Sequence, residues 1–152
     1  MIVFARAGTA HTPAILTVME RAFDARFGER WNAGQVNAAL LAGDRVGEIA
    51  FGDGAPIGFS LARYAAEEAE LLLVAVVPQW QRRGIARMLI SRAIDEVRAR
   101  GAATIFLEVR DGNDAAGALY ASQGFEGVGR RKGYYSGTER RRHDAITMRR
   151  CL

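Results

Sequence analysis

Phosphate-binding chemistry is concentrated in one short stretch, Gln81-Arg82-Arg83-Gly84-Ile85-Ala86-Arg87, which follows the apolar run Leu71 to Val77 and precedes a long amphipathic segment. A strand that opens through such a loop into a helix presents N–H groups with no intrahelical partner. They sit at the end of the helix dipole that favours negative charge. Gly84 lets the backbone come close to a ligand. Arg82, Arg83 and Arg87 add charge-assisted donors suited to phosphate oxygens. These residues point to a phosphate-bearing ligand. No Gly-Lys-Ser/Thr follows, and the spacing is not Gly-x-Gly-x-x-Gly, so neither the nucleoside-triphosphate loop nor the dinucleotide fingerprint applies. The competing reading of the loop alone is an ordinary strand-to-helix turn with solvated arginines.

The surrounding pattern predicts the elements that hold this loop. Ile2 to Ala7 reads as a strand. Thr12-Pro13 reads as a helix start, with Thr as N-cap and Pro at the first helical position. Ile15, Val18, Met19, Ala22 and Phe23 recur at helical spacing up to Gly28, and a second short helix is expected from Ala33 to Leu41. Arg45 to Phe51 and Pro56 to Tyr64, joined by Gly52-Asp53-Gly54, predict a hairpin. Leu71 to Val77 is the buried strand before the loop. Ile85, Leu89, Ala93 and Val97, with Ala86, Ile90 and Ile94, give the following helix a wide apolar stripe that Gly101 ends. Ala103 to Val109 is a strand with Ile105, Leu107 and Val109 on one face. Asn113 or Asp114 caps a short helix that stops before Gly124, and Gly117 within it is explained only by close packing. Phe125 to Gly133 and Asp144 to Arg150 form a last hairpin. The order β-α-α-β-β-β-α-β-α-β-β, without repeat or linker, predicts one mixed α/β domain over residues 1–152.

Composition narrows the class. The chain has 152 residues and a net charge of +4. Residues 130–150 carry eight basic side chains against Glu139 and Asp144, so the rest is net negative. This patch could attract nucleic acid, but the favoured reading is a solvated hairpin rim, with Tyr134 and Tyr135 packing or lining a groove. No apolar run reaches membrane-spanning length, and the N-terminus lacks a signal-peptide pattern. The single cysteine, Cys151, fits a reducing cytoplasm, and no metal site is expected. His11 and His143 receive no role. Glu67, Glu68 and Glu70 read as a solvated turn that could also face a basic peptide.

Four segments in order resemble one family: the Gln81 to Ala86 loop, Phe106-Leu107-Glu108-Val109-Arg110, Asn113 to Tyr120 ending in Ala118-Leu119-Tyr120, and Gly124-Phe125 with Gly133-Tyr134-Tyr135. The loop is similar to the pyrophosphate signature Gln/Arg-x-x-Gly-x-Gly/Ala of the GNAT superfamily of N-acetyltransferases. The set as a whole resembles its RimI-like branch, the ribosomal-protein alanine N-acetyltransferases. The resemblance runs from about Leu71 to Met148. It implies a central twisted, mostly antiparallel sheet flanked by helices, and direct acetyl transfer from acetyl-CoA to an α-amine, that of a ribosomal protein's N-terminal peptide. It further implies that backbone groups of Val74, Ala75 and Val76 hold the acetyl and pantetheine portion. Arg82, Arg83, Gly84, Ile85, Ala86 and Arg87 would hold the pyrophosphate, and Asn113 would contact the cosubstrate. Glu108 would act as general base and Tyr120 as general acid. The branch's Pro-Trp-Ser segment has Phe27-Gly28-Glu29-Arg30-Trp31 in its place, and Arg140-Arg141-Arg142 is unusually basic.

The chemistry suits those assignments. An amine attacks a thioester only when neutral. A peptide α-amine, of pKa near 8, needs only a modest base such as Glu108. A tyrosine of pKa near 10 can protonate a departing thiolate, and an N–H at Val76 can receive developing negative charge. Other acceptors remain open, namely a lysine side chain or a small amine. From another class, a non-catalytic acyl-CoA sensor or a module docking on ribosomal RNA would fit the charge. The pair Glu108 and Tyr120 argues against the sensor, and the absence of an RNA-reading motif argues against the second.

Overall fold

Six consecutive buried residues, Ile57 to Ala62, place β3 (Ala55–Ala65) at the centre of the molecule. A strand buried on alternate residues has one covered face, whereas an unbroken run means that both faces are covered. The computed structural model, which describes residues 1–152, shows what covers them. Helices α1 (Thr12–Ala22) and α3 (Ile85–Ala99) both pack on β3. The remaining elements are β1 (Ile2–Arg6), α2 (Ala33–Leu41), β2 (Arg45–Gly52), β4 (Glu68–Val76), β5 (Thr104–Arg110), α4 (Asp114–Ser122), β6 (Glu126–Tyr135) and β7 (His143–Cys151). Short 3₁₀ turns lie at Thr9–His11, Ala25–Phe27 and Pro78–Trp80. No helix is long and apolar enough to cross a membrane.

The seven strands form one sheet in the order β1-β2-β3-β4-β5-β7-β6. Every neighbouring pair is antiparallel except β4 and β5, which the helix α3 joins as a crossover. The expected mostly antiparallel sheet flanked by helices is therefore present. The parallel pairing is brief. It covers only Glu68↔Thr104 to Leu71↔Leu107, although β4 continues to Val76 and β5 to Arg110. The cause lies on the other side of β4. There Leu61 pairs with Leu73 and Ala62 with Leu71, so Leu72 is an extra, bulged residue. A bulge bends its strand and sharpens the local twist. Beyond Leu72, β4 keeps β3 but leaves β5, and the sheet splits into a V.

Several local expectations need correction. Thr12 lies inside the first turn of α1 and caps nothing: its hydroxyl donates to Asn37 Oδ1 of α2 at 2.6 Å. His11 is the N-cap, and its Nδ1 accepts the Gly8 N–H at 3.0 Å. Helix α1 stops at Ala22, six residues before Gly28, because Phe23 turns extended. Helix α2 has the expected bounds, and its start is fixed by an unexpected reciprocal Asn32–Gln35 capping box. The β2–β3 turn is carried by Asp53 and Gly54, both at positive φ (52° and 82°), as a two-residue hairpin turn with the right twist requires. β4 begins at Glu68, three residues earlier than its apolar run, because its first turn-side residues still pair with β3 and β5.

Candidate active site

The V between β4 and β5 holds the main cleft, about 330 Å³ in volume. Of the residues singled out in the sequence, it brings together Val74, Glu108, Asn113 and Tyr120. The loop residues Arg82, Arg83, Gly84, Ile85, Ala86 and Arg87, and the strand residues Ala75 and Val76, lie outside its lining. They continue from the same β4 strand, so the two regions are the ends of one path along β4 and into the start of α3.

The path has the features of an extended anionic ligand's seat. Val77 N–H donates to Ile57 O on β3 at 2.9 Å. Successive strand N–H groups point to opposite edges, so that of Val76 faces the edge β5 has left. Gln81 Nε2 donates to Val76 O at 2.9 Å and ties the loop back to the strand. Gly84 is the N-cap of the 15-residue α3, with φ of +80° and open space where a Cβ would stand. Arg82 also has positive φ, 62°, which turns successive backbone N–H groups inward as in anion-binding nests. Arg83 stacks over the Trp80 ring at 4.6 Å, and Arg87 donates to Ser122 Oγ at 3.0 Å. None of these three arginines is paired with a carboxylate.

Tyr120 reaches the cleft from α4, whose start is set by Asn113: its side-chain oxygen accepts the Ala116 N–H at 3.3 Å. The Tyr120 ring meets Phe125 edge-on at 6.0 Å, and its hydroxyl has no hydrogen-bond partner within the protein. Burial, and to a lesser degree the charge of Glu29, push its pKa well above the usual phenol value. At neutral pH it is a protonated donor. Gly117 in the same helix meets nothing within 4 Å, so close packing within the chain does not explain it.

Glu108 lies on β5 with its side chain about 10% exposed. Arg131 Nε stands 3.0 Å from Oε1, and Thr147 Oγ1 donates to Oε2 at 2.7 Å. Tyr135 donates to the main-chain oxygen of Glu108 at 3.2 Å. The carboxylate is thus oriented from β6 and β7. Arg131 belongs to the basic segment, which is an exposed hairpin rim as expected, though partly ion-paired. Arg130 pairs with Asp111 and Asp144, Arg149 pairs with Glu126, Arg150 donates to Gln123 O, and Lys132, Arg140, Arg141 and Arg142 stand free. Tyr134 and Tyr135 do line the groove, in a mutual edge-on contact at 4.9 Å. Glu70 lines it too, held by Arg63 at 2.6 Å.

One wall is built from the segment that stands in place of the branch's Pro-Trp-Ser. Residues 23–31 fold over the cleft, and Phe23, Gly28, Glu29, Arg30 and Trp31 line it. Arg30 donates to the main-chain oxygens of Phe23 and Glu20, both at 2.8 Å, so it serves the carbonyls that α1 leaves unpaired. Gly28, at φ +71°, and Gly137 pass so closely that a Cβ on either would stand 2.3 Å from a main-chain oxygen of the other loop. Thr138 N–H donates to Ala25 O across the same junction. Glu29 points inward from this wall. The spacing of its neighbours carries no signal for it, since its ion-pair partner Arg110 is 81 positions away.

The comparisons agree with this geometry. Residues 15–125 match the acetyltransferase (GNAT) family. The chain is 40% identical over 129 residues to the [ribosomal protein bS18]-alanine N-acetyltransferase of Salmonella typhimurium, covering 85% of this chain and 77% of that protein. It is 44% identical over 96 residues to the Escherichia coli protein of the same name, covering 63% of this chain and 64% of that one. The crystal structure of the Escherichia coli ribosomal-protein-S18-alanine N-acetyltransferase superposes with a TM-score of 0.87 at 32% identity, covering 100% of this chain and 94% of that one. Cleft, loop and sequence agree: the chain belongs to the GNAT family and is an N-acetyltransferase.

Proposed function

We propose that this cleft acetylates the α-amine of a protein N-terminus, the acceptor class for which its ribosomal-protein relatives are named, with Tyr120 and Glu108 carrying the protons. The residues fit acetyl-CoA at both ends. The free edge of β4 from Leu72 to Val76 offers strand-like hydrogen bonding to an amide-bearing chain. The start of α3, with open space at Gly84 and three unpaired arginines, suits a pyrophosphate. Acetyl-CoA is the cosubstrate and supplies the acyl thioester whose sulfur leaves as a thiolate.

The protein's part is to place two proton carriers across the V. Tyr120 donates its phenolic proton to the leaving sulfur. Glu108 takes the proton that the acceptor nitrogen gives up, directly or through water. Its two oxygens offer about four acceptor positions, so Arg131 and Thr147 orient it without exhausting it. The Val76 N–H is placed to receive charge on the carbonyl oxygen. The observation that carries the reading is the Tyr120 hydroxyl: protonated, unpartnered, and standing where β4 and β5 part. Asn113 spends its side-chain oxygen on the helix start, which leaves its amide N–H groups for the cosubstrate.

The test is acetylation by the purified protein of peptides with free N-termini, including that of ribosomal protein bS18, beside lysine peptides and small amines. Mass spectrometry is expected to find acetyl on the α-amine. Acetyl confined to lysine side chains or small amines would overturn the α-amine assignment.

A further inference from the structure

Glu29 is a carboxylate that the reaction as drawn does not use. Its side chain is about 13% exposed, it lines the cleft, and its only ion-pair partner, Arg110, is at a long 3.4 Å. Arg110 is itself drawn aside, its guanidinium stacked over the Phe27 ring at 3.7 Å. Glu108, by contrast, has a close partner on each oxygen. Glu29 therefore keeps acceptor capacity turned toward the space beside Tyr120, Tyr134 and Tyr135.

The wall that carries Glu29 is rigid where it needs to be. Asp24 caps the Ala25–Phe27 turn, Arg30 clasps the end of α1, and Gly28 is clamped against Ser136 and Gly137. These contacts hold a charged group in a largely desolvated place, and burial without a full partner is costly for a carboxylate. A site that keeps an under-paired carboxylate is ready for a cation. The cation this reaction must collect is an ammonium, the form in which most of a peptide N-terminus exists at neutral pH.

We propose that Glu29 is the residue that receives the acceptor's ammonium group, and that its negative charge is the determinant by which the cleft distinguishes a free N-terminus from a blocked one. This rests on the α-amine reading above. The groups facing Glu29 are Arg110 of β5, Tyr120 of α4, Tyr135 of β6, His143 of β7 and Asp24 of its own segment. Burial pushes the Glu29 pKa up, and Arg110 and His143 only partly oppose it. Amine binding should then fade as pH falls into the upper carboxylate range.

The experiment is calorimetric titration of the protein, saturated with CoA, by a short peptide with a free alanine N-terminus and by its Nα-acetyl form, from pH 5 to 8. The native protein is expected to prefer the free peptide by about tenfold or more at pH 8, and to lose that preference toward pH 5. Glu29→Gln should bind the two peptides alike at all pH values while keeping its CoA affinity. Arg110→Gln should keep the preference at pH 8 and lose it at a higher pH than the native protein, because removing a cation raises a carboxylate's pKa. A merely structural pair would make the two variants behave alike. Should Glu29→Gln not fold, Glu29→Asp is expected to keep the preference in weakened form. An unchanged free-to-blocked ratio in Glu29→Gln, or a native ratio that persists undiminished at pH 5, overturns the proposal. If the native protein binds neither peptide, the α-amine reading has failed. The same pair of titrations, with the amine that is acetylated and its N-acetyl form, then decides Glu29.

Discussion

At the residue scale, the cleft sets three ionisable side chains to different tasks by giving each different company. Tyr120 has burial and nearby negative charge, so it stays protonated. Glu108 has Arg131 and Thr147, so it is held in one orientation. Glu29 has burial and a distant Arg110. Tyr120→Phe removes one hydroxyl and little volume, and the hydroxyl has no protein partner to strand. Folding and acetyl-CoA affinity should be unchanged, while single-turnover acetyl transfer should slow by about 10²–10⁴. Near-native turnover would remove Tyr120 from the chemistry. Glu29 makes an opposite kind of prediction. A carboxylate whose pKa is raised on folding favours the folded state while protonated and loses that contribution as pH rises through its folded value. Glu29→Gln, a neutral mimic, should therefore raise the thermal midpoint at pH 8, and the gain should vanish when pH falls below the ordinary carboxylate range. A variant that melts lower at pH 8 would mean that the Arg110 pair outweighs burial.

At the scale of elements, two junctions do most of the placing. The first is the β4-loop-α3 turn. Gly84 is in the left-handed region with open space beside it, so Gly84→Ala should cost roughly 1–2 kcal/mol of stability from backbone strain alone. Gly84→Asp adds a carboxylate facing the phosphate seat, and by calorimetry it should weaken acetyl-CoA binding far more than Gly84→Ala does. Equal affinities for the two would place the phosphates elsewhere. The second is the contact between residues 25–28 and 136–138. Gly28→Ala puts a methyl 2.3 Å from Ser136 O, which must give way. The expected outcome is a higher KM for the acceptor peptide with unaltered acetyl-CoA affinity, because this wall lies over the acceptor end only. A joint loss of both would show that the junction supports the whole cleft.

At the scale of the whole molecule, charge is distributed by function. The net charge is +4, yet four of the eight basic side chains of the 130–150 segment are paired or hydrogen-bonded within the protein, and the arginines of the 81–87 loop have no carboxylate partner. Raising ionic strength from about 0.05 to 0.5 M should weaken acetyl-CoA binding several-fold through screening of these exposed charges. The same distribution sets an acid limit on the β6–β7 hairpin. The Gly133 N–H and Arg130 hold Asp144 below the usual carboxylate range. Its contribution is present above the unfolded value and is lost as pH falls through the lowered folded one. Exchange protection of the Gly133 amide should accordingly survive mild acid and collapse only below the ordinary carboxylate range, and Asp144→Ala, which removes the acceptor, should lose it at all pH values.

What the sequence determined by itself were the features written in short-range pattern. The apolar stripe of α3, the alternation Ile105-Leu107-Val109, the Asp53-Gly54 turn, the cap of α4 and the anion-seeking loop all depend on neighbours within a few positions. So did the element order and, through the motifs on β5 and α4, the placement of Glu108 and Tyr120 on one cleft. The tertiary structure decided what depends on partners far along the chain. The bulge at Leu72 is visible only from the register against β3, and it alone explains why β4 leaves β5 and opens the V. The end of α1 at Ala22, where Phe23 turns extended, is supported by Arg30 bonding the Glu20 and Phe23 carbonyls, a contact that no helical periodicity announces. Glu29 in sequence is one charged residue in a polar loop. It becomes a buried carboxylate facing Tyr120 only because Gly28 and Gly137, 109 positions apart, are both small enough to let two loops touch. Local pattern determines which groups are available for chemistry, and desolvation and mutual approach, which only the fold supplies, determine their charge and their task.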